Sequence, residues 1–245
     1  MNVFITGSNG LIGNCIVEYL IQELKFKVFG ADIQESGRFE HSNYSYYQVD
    51  VSSYEQIQNI YDELTSRDIF ISGLINSHQF KPDGFLNADL FNMDLKMWDD
   101  IVKVNLTGTY NTCRIFGKEM KKRRKGSIVN FASTYAIVSS NPDLYSENSM
   151  GNPIAYSASK GGVIALSRYI ACYLGKFGVR CNCITPHGVS NNHEEDFIKK
   201  FSSMTPANRM MIDKEILGPI ELLLTEKGSY MNGTNLIVDG GWSAW

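Results

Sequence analysis

The chain has 245 residues, of which 43% are hydrophobic and 20% are charged, and these proportions exclude a disordered protein. Its formal charge of −3 disfavours a nucleic-acid binder, which usually carries a basic excess. No apolar run approaches the roughly 20 residues of a membrane-spanning helix, so no membrane partner is expected. Five cysteines without a CxxC motif, and an N-terminus without a charged or apolar leader, favour a cytoplasmic protein with reduced thiols.

Short apolar runs alternate along the chain with longer segments of helical periodicity. Strands are predicted at Val3–Thr6, Lys27–Ala31, Tyr46–Val49, Ile71–Asn76, Ser127–Ala132, Arg180–Ile184 and Asn235–Val238. Helices are predicted at Leu11–Leu24, Tyr54–Ser66, Trp98–Lys122, Ile154–Phe177 and Lys214–Thr225. Most of the strands are continuous apolar runs, which is typical of a parallel sheet covered on both faces. The alternation predicts one α/β domain over residues 1–245, with a doubly wound, Rossmann-type parallel sheet of about seven strands.

A glycine-rich turn joins the first predicted strand to the first predicted helix. Gly7 permits the tight turn, Gly10 lets the backbone approach a pyrophosphate, and Gly13 permits close packing of the helix on the strand. The helix that follows offers free N–H groups and the positive end of its dipole to an anion. The pattern predicts a dinucleotide site whose contacts are Gly7, Ser8, Asn9, Gly10, Leu11, Ile12 and Gly13.

The second predicted strand leads to Asp32, 19 residues after the last glycine of that turn. This is close to the spacing of the carboxylate that binds a ribose diol, so Asp32 and its neighbour Ile33 are predicted cofactor contacts. The negative charge would repel a 2′-phosphate and favours NAD, while the nearby Arg38 keeps NADP open. Asp50 and Val51 follow the third strand and are predicted adenine contacts, although Asp50 could equally cap the next helix.

Tyr156 and Lys160 lie four residues apart on a predicted helix and therefore project from the same face. A lysine ammonium beside a phenol lowers the pKa of the phenol from its usual value of about 10. Such a tyrosine can exchange a proton with an alcohol or carbonyl oxygen near neutral pH. The pair predicts acid/base chemistry beside the dinucleotide site.

The chain resembles the short-chain dehydrogenase/reductase family over its whole length, in the compact single-domain branch. The shared features, besides those above, are Asn105 within Val104–Gly108, Ser133 at the end of Ile128–Ser133, the segment Pro186–Val189, and Ile237–Trp242 near the C-terminus. The resemblance implies that Tyr156 is the general acid/base and that Lys160 tunes it and holds the nicotinamide ribose. It also implies that Ser133 binds the substrate oxygen and that Asn105 supports a water relay to Lys160.

The resemblance extends the predicted contacts. Further cofactor contacts are Asn76, Ser77, Tyr156, Lys160, Pro186, Gly188 and Val189, and the substrate contacts are Ser133, Tyr135, Tyr156 and His187. No metal site is predicted. Loops near residues 139–153 and 187–210 are expected to border the substrate pocket, with apolar residues of the second loop acting as a lid or as core. The resemblance also implies a homodimer or a homotetramer in which the helices containing Asn105 and Tyr156 pair between copies of the chain.

The sequence departs from the family pattern at four places. The glycine spacing GxxGxxG is that of the extended branch, whose additional C-terminal domain has no counterpart here. Ser77-His78 lacks a family glycine, which should crowd the cofactor ribose or shift the loop. The segment between Ser133 and Tyr156 is longer than usual, and residues 143–151 resemble an insertion. His187 replaces a glycine and could alter cofactor contacts, bind substrate or simply line the pocket.

The expected reaction is NAD(H)-dependent interconversion of a secondary alcohol and a ketone. The long segment before Tyr156 and the ending Asp239–Trp245 resemble oxidoreductases of bacterial flagellin modification and surface-glycan pathways, which implies a sugar or sugar derivative as the substrate. A 3-oxoacyl reductase or a simple alcohol dehydrogenase stays open. The alternatives of other classes are an epimerase or dehydratase, and a catalytically silent dinucleotide sensor or scaffold.

Overall fold

A computed structural model describes residues 1–141, 144 and 154–244 of the chain. Seven strands form one parallel sheet in this part of the chain. They are β1 (Asn2–Thr6), β2 (Lys27–Asp32), β3 (Tyr44–Gln48), β4 (Gly73–Asn76), β5 (Gly126–Phe131), β6 (Val179–Pro186) and β7 (Asn235–Val238). Each predicted strand is present, with ends that differ by at most two residues.

The sheet order is β3-β2-β1-β4-β5-β6-β7, so the chain reverses its direction of travel across the sheet between β3 and β4. The loops that follow β1 and β4 therefore lead to opposite sides of the sheet, and a crevice opens between them. In doubly wound sheets this is the place where ligands bind. The predicted Rossmann-type fold is confirmed.

Helices cover both faces of the sheet. They are α1 (Leu11–Gln22), α2 (Tyr54–Ser66), α3 (Leu95–Val102), α4 (Gly108–Arg123), α5 (Ile154–Gly175), α6 (Glu195–Ser203) and α7 (Leu217–Leu224). Helices α2, α4 and α5 pack on one face around Phe4, Phe29 and Phe116. Helices α1 and α7 pack on the other face, which explains the continuous apolar pattern of the central strands.

The long helix expected at Trp98–Lys122 is interrupted. A π-helical turn at Lys103–Thr107 separates α3 from α4 and contains the buried Asn105. A π-turn adds one residue to the helical repeat and turns side chains away from the regular stripe, which periodicity alone does not predict. The helix expected at Lys214–Thr225 likewise begins with a 3₁₀ turn at Asp213–Ile216, before α7.

Candidate active site

A single cleft of about 910 Å³ follows the carboxyl ends of the strands from the glycine-rich turn to Tyr156. It brings together most of the predicted residues, namely Gly7, Gly10, Leu11, Ile12, Gly13, Asp32, Ile33, Asp50, Val51, Ser77, Ser133, Tyr135, Tyr156, Lys160, Pro186, His187, Gly188 and Val189. The predicted residues Ser8, Asn9, Asn76 and Asn105 are buried beside the cleft and do not line it. The predicted site residues therefore lie along one continuous cleft, with four of them in a supporting layer buried beside it.

The glycine-rich turn forms a cradle that side chains could not enter. Gly7 has a φ of +70°, and a Cβ there would lie 2.7 Å from the backbone of His78. A Cβ on Gly13 would lie 2.0 Å from the carbonyl oxygen of Gly7, so only glycine allows α1 to start so close to β1. Helix α1 has no side-chain N-cap, and its first-turn N–H groups stay available to an anion. The cradle fits the pyrophosphate of a dinucleotide.

Asp32 lies at the end of β2 with its carboxylate on the cleft. One carboxylate oxygen accepts a hydrogen bond from the backbone N–H of Asn9 at 3.0 Å. The side chain of Asn9 donates to the carbonyl of Ser36 at 2.8 Å and accepts from the N–H of Arg38 at 3.1 Å. Asn9 thus holds the loop after β2 against the glycine turn. Arg38 is exposed and is not among the residues that line the cleft.

Asp50 was also a candidate for the N-cap of α2, but Ser53 has this role. Asp50 accepts a hydrogen bond from the N–H of Ser52, and Ser53 is the N-cap of α2 through the N–H of Gln56. Asp50 therefore shapes the turn before α2 and faces the cleft together with Val51.

Two predicted asparagines act below the surface of the cleft. Asn76 donates to Asn130 Oδ1 at 2.8 Å and accepts from Thr112 Oγ1 at 2.8 Å, so its side chain ties β4 to β5 and α4. Asn105 is fully buried in the π-turn.

The side chain of Asn105 connects three segments of the site. Its amide group donates to Ser159 Oγ at 3.2 Å, and its Oδ1 accepts from the N–H of Phe80 at 2.8 Å. Asn105 therefore joins the loop after β4 to the helix that carries Tyr156 and Lys160.

Tyr156 and Lys160 project from one face of α5 into the cleft, as the spacing predicted. Lys160 is 3% exposed, and its Nζ donates to the carbonyl of Phe131 at 2.9 Å and lies 5.9 Å from the centre of the Tyr156 ring. Burial lowers the pKa of Lys160 to about 8, so the ammonium stays largely protonated at neutral pH. The Tyr156 hydroxyl lies 3.4 Å from Gln79 Oε1 at the substrate side of the cleft.

His78, which stands where the family has a glycine, turns its side chain into the protein. Nδ1 lies 2.6 Å from Thr6 Oγ1, and Nε2 lies 3.2 Å from the carbonyl of Val104. These partners assign the proton to Nε2, with Nδ1 accepting from the threonine. Gly108 makes room for the ring, because a Cβ there would lie 3.1 Å from His78 Nε2.

His187 is enclosed by an aromatic cluster over the end of β6. Its ring centre lies 4.8 Å from that of Phe201 and 4.3 Å from that of Trp242, and the Tyr135 ring meets it edge-on at 5.6 Å. Nε2 has no hydrogen-bond partner among the described residues. Burial lowers the pKa of His187 to about 4, so the imidazole is neutral at physiological pH.

The second of the two expected loops contains helix α6 and an apolar cluster that borders the cleft. Phe197, Phe201 and Met210 are buried together with Leu144 and Trp242. The loop at residues 139–153 falls largely outside the described residues, which include only 139–141 and 144 of it.

Several residues that line the cleft were not predicted from the sequence. Gln79, Phe80, Lys81, Phe85 and Leu86 follow β4 and border the catalytic end of the cleft. The rule that ligands bind beyond the carboxyl ends of parallel strands could have identified this loop, but not its individual side chains. Among the described residues, no group of three or more His, Cys, Asp or Glu is placed to hold a metal ion. No described helix is both long enough and apolar enough to cross a membrane.

Comparison with known proteins extends this picture. A family model described as Enoyl-(Acyl carrier protein) reductase matches residues 12–243 of the chain. The 3-oxoacyl-[acyl-carrier-protein] reductase FabG of Buchnera aphidicola is 30% identical, with 97% of this chain and 95% of that protein covered. The chain belongs to the short-chain dehydrogenase/reductase family. Members of this family are oxidoreductases, and this chain acts on CH–OH groups with NAD or NADP as the acceptor.

Other relatives span different substrates. D-threitol dehydrogenase of Mycolicibacterium smegmatis is 31% identical over 62% of this chain and 56% of that protein. Post-translational flagellin modification protein A of Campylobacter coli is 22% identical, with 98% and 97% covered. A short-chain dehydrogenase of Leptospira borgpetersenii, solved with bound NAD+, superposes with a TM-score of 0.91 at 27% identity, covering 99% of this chain and 92% of that one.

Proposed function

We propose that this dehydrogenase uses NAD(H) to interconvert a secondary alcohol and a ketone on a sugar or sugar derivative, in the cytoplasmic assembly of a bacterial surface glycan. The observation that carries the proposal is the continuity of the cleft. It runs from a cradle that fits a pyrophosphate, past Asp32, to the buried Lys160 and the Tyr156 hydroxyl. A polar substrate and a dinucleotide can therefore meet in one cleft.

We propose a catalytic role for each of four side chains. The bound nicotinamide supplies the hydride acceptor or donor. Tyr156 exchanges the proton with the substrate oxygen, and the Ser133 hydroxyl hydrogen-bonds that oxygen. Lys160 keeps a positive charge beside the phenol, which favours the phenolate. Asn105 positions Tyr156 and Lys160, because it hydrogen-bonds Ser159 on the same helix α5 and the N–H of Phe80 in the loop after β4.

The proposed preference for NAD is supported by the charges at the nucleotide end of the cleft. Asp32 presents a carboxylate, which suits a ribose diol and repels a 2′-phosphate. Arg38 is the nearby cation that could have reversed this preference, and it is exposed and does not line the cleft.

A polyhydroxylated substrate is supported by the polar groups at the catalytic end of the cleft. Gln79, Ser133, Tyr135 and Asn191 line it together with Tyr156. The relatives named for D-threitol and for flagellin modification support the same class of substrate. We propose that the loops at 139–153 and 187–210 form the rim that selects the sugar.

A 3-oxoacyl substrate is the second candidate, and an apolar border of the cleft favours it. Phe85 and Leu86 line the catalytic end of the cleft, and Leu90 and Phe91 are 66% and 94% exposed on the same loop. An acyl chain could cover this surface, and FabG is among the relatives. Turnover of acetoacetyl thioesters in preference to sugars would favour this candidate.

A substrate panel with a matched pair of variants tests the proposal. Sugars, sugar phosphates, nucleotide sugars and alditols are offered with NAD, and the sugar ketones with NADH, while absorbance at the nicotinamide band is followed. Tyr156→Phe should reduce kcat at least 100-fold with NADH binding unchanged, because general acid/base catalysis contributes about 10²–10⁴-fold. Tyr169→Phe, on the exposed side of the same helix, should leave kcat unchanged.

The outcomes separate the remaining hypotheses. Unchanged turnover in Tyr156→Phe would remove this residue from its role. Binding of NADH without turnover of any compound would favour the sensor or scaffold. Conversion of a sugar without net change in NADH would favour an epimerase or dehydratase, which returns the hydride.

We propose that α4 and α5 pair between copies of the chain in a dimer or tetramer. The exposed aromatic residues Tyr110, Tyr169 and Tyr173 on these helices support this assembly. Light scattering coupled to size exclusion should give the mass of two or four chains, and a monomer at micromolar concentration would contradict it.

A further inference from the structure

The side chain of Asn9 connects the glycine turn with the loop after β2, and it is 1% exposed. Its Nδ2 donates to the carbonyl oxygen of Ser36 at 2.8 Å, and its Oδ1 accepts from the backbone N–H of Arg38 at 3.1 Å. These partners identify the two ends of the amide, because a flipped amide would place oxygen against a carbonyl and an NH₂ group against an N–H. Both ends of one buried amide are therefore bonded to the backbone of the same loop.

The same loop is anchored on both sides of Arg38. Before it, Gly37 approaches the Tyr46 ring so closely that a Cβ on the glycine would lie 3.0 Å from the ring. After it, the Phe39 ring meets the Tyr44 ring edge-on, with 5.8 Å between their centres. Arg38 thus projects from a segment whose backbone is held in place, and its side chain is exposed and does not line the cleft.

The backbone of Asn9 makes a separate contact with the carboxylate at the nucleotide end of the cleft. Its N–H donates to Asp32 Oδ2 at 3.0 Å. Because Asp32 and the N–H of Arg38 are both bonded to Asn9, the base of the arginine side chain lies about one residue's width from this carboxylate, within reach of a guanidinium. A guanidinium is the side-chain group best suited to pair with a phosphate through two hydrogen bonds.

We infer that Asn9 is a positioning residue for cofactor specificity: its side chain fixes the loop after β2 and so keeps Arg38 from pairing with the 2′-phosphate of NADP. The inference rests on the proposed function, in which Asp32 favours NAD, and adds a second determinant. Asp32 repels the phosphate, and Asn9 withholds the cation that would offset this repulsion. Removal of the Asn9 side chain releases Arg38 and leaves the backbone N–H of residue 9 on Asp32, so NADP gains affinity while NAD changes little.

The test measures the Kd of NADH and of NADPH by fluorescence of the bound nicotinamide, which needs no substrate. The proteins are the wild type, Asn9→Ala, the double variant Asn9→Ala with Arg38→Ala, and Asn14→Ala. Asn14 is half-buried on α1 and does not line the cleft, so its variant is the control for loss of an asparagine beside the glycine turn. Asn9→Ser is a second variant that keeps a hydroxyl in the buried position, but serine is too short to bond both Ser36 and Arg38.

We expect the ratio of the Kd of NADPH to the Kd of NADH to fall about tenfold in Asn9→Ala and in Asn9→Ser, mainly through tighter binding of NADPH. The size corresponds to one charge-assisted hydrogen bond. The double variant should return to the wild-type ratio, because the gain depends on the guanidinium of Arg38. Asn14→Ala should keep the wild-type ratio.

An unchanged ratio in both Asn9 variants, including an equal loss of affinity for the two cofactors, would overturn the inference and leave Asn9 a structural role alone. A gain in NADPH binding that persists in the double variant would overturn it as well, because Arg38 would then not be its source. Failure of the wild type to bind NADH would contradict the proposed function. Binding of NADH by the wild type together with an unchanged ratio in the Asn9 variants would contradict this inference only.

Discussion

At the scale of single residues, the polar groups of the site divide into those on the cleft and those that hold them. Asp32 and Tyr156 face the cleft, whereas Asn9 and Asn105 are buried and act through hydrogen bonds to the loops around it. A substitution on the cleft should change which molecule binds. A substitution in the supporting layer should change how well the loops are held, because a buried donor or acceptor would lose its partner.

Asp32→Ala should weaken NAD and relax the rejection of NADP. The substitution removes the carboxylate that we expect to accept hydrogen bonds from the ribose diol. It also removes the negative charge that repels a 2′-phosphate. We expect the ratio of kcat/KM for NAD over NADP to fall about tenfold or more, equivalent to ~1.4 kcal/mol. Arg38→Ala is the matched control and should leave the ratio unchanged, because Arg38 does not line the cleft. Equal use of both cofactors by the parent enzyme would undo the assigned role of Asp32.

At the scale of secondary-structure elements, glycine sets how closely the segments of the site approach. Gly13 lets α1 start against the Gly7 carbonyl, and Gly162 lets α5 pack on the π-turn, where a Cβ would lie 2.8 Å from Leu106. The Gly7 backbone that a Cβ on Gly13 would meet cannot move aside. The Leu106 side chain that a Cβ on Gly162 would meet can adjust.

Gly13→Ala should destabilise the protein and abolish NADH binding, because the new methyl group would overlap the Gly7 carbonyl at 2.0 Å. We expect a loss of several kcal/mol in the free energy of unfolding, the range of strongly destabilising changes. Gly218→Ala on α7 meets nothing within 4 Å and should change stability by only about 0.5 kcal/mol or less. Urea denaturation of both variants measures the difference. Equal stability of the two variants would contradict the packing argument.

At the scale of the whole molecule, two buried histidines connect folding to pH. Burial lowers the pKa of His78 to about 3 and that of His187 to about 4. In the unfolded chain both titrate near 6.5, so below that pH the unfolded state binds more protons than the folded state. The contribution of these two neutral, buried histidines to the free energy of unfolding is therefore present above pH 6.5. It is lost as the pH falls toward the pKa values of the folded state.

The free energy of unfolding should fall between pH 6.5 and pH 5 by roughly 1–2 kcal/mol for each histidine, with carboxylates contributing little in this window. Urea denaturation at a series of pH values measures it. His187→Gln should remove about half of the slope while keeping a polar side chain of similar size. His41→Gln, on an exposed loop, is the control and should retain the full slope. A flat profile in the parent protein would contradict the buried, neutral state of both rings.

The structure gives two positions that the sequence had singled out a different role from the one expected. Asn76 was a predicted cofactor contact and instead bonds Asn130 and Thr112 beneath the cleft. His78 was expected to crowd the ribose or displace the loop, and its ring instead enters a space that Gly108 leaves open. Side-chain direction at a strand end depends on which neighbour offers a cavity, and that neighbour is distant in the chain.

The sequence alone determined the fold class, the glycine cradle, the placement of Asp32 and the helix face shared by Tyr156 and Lys160. Each of these depends on local spacing along one strand or one helix, which backbone geometry converts directly into position. Only the tertiary structure decided that Asn105 lies in a π-turn and that His187 is enclosed by Phe201 and Trp242. These properties arise from contacts between segments far apart in sequence, because burial and charge pairing are set by the neighbours that the fold supplies.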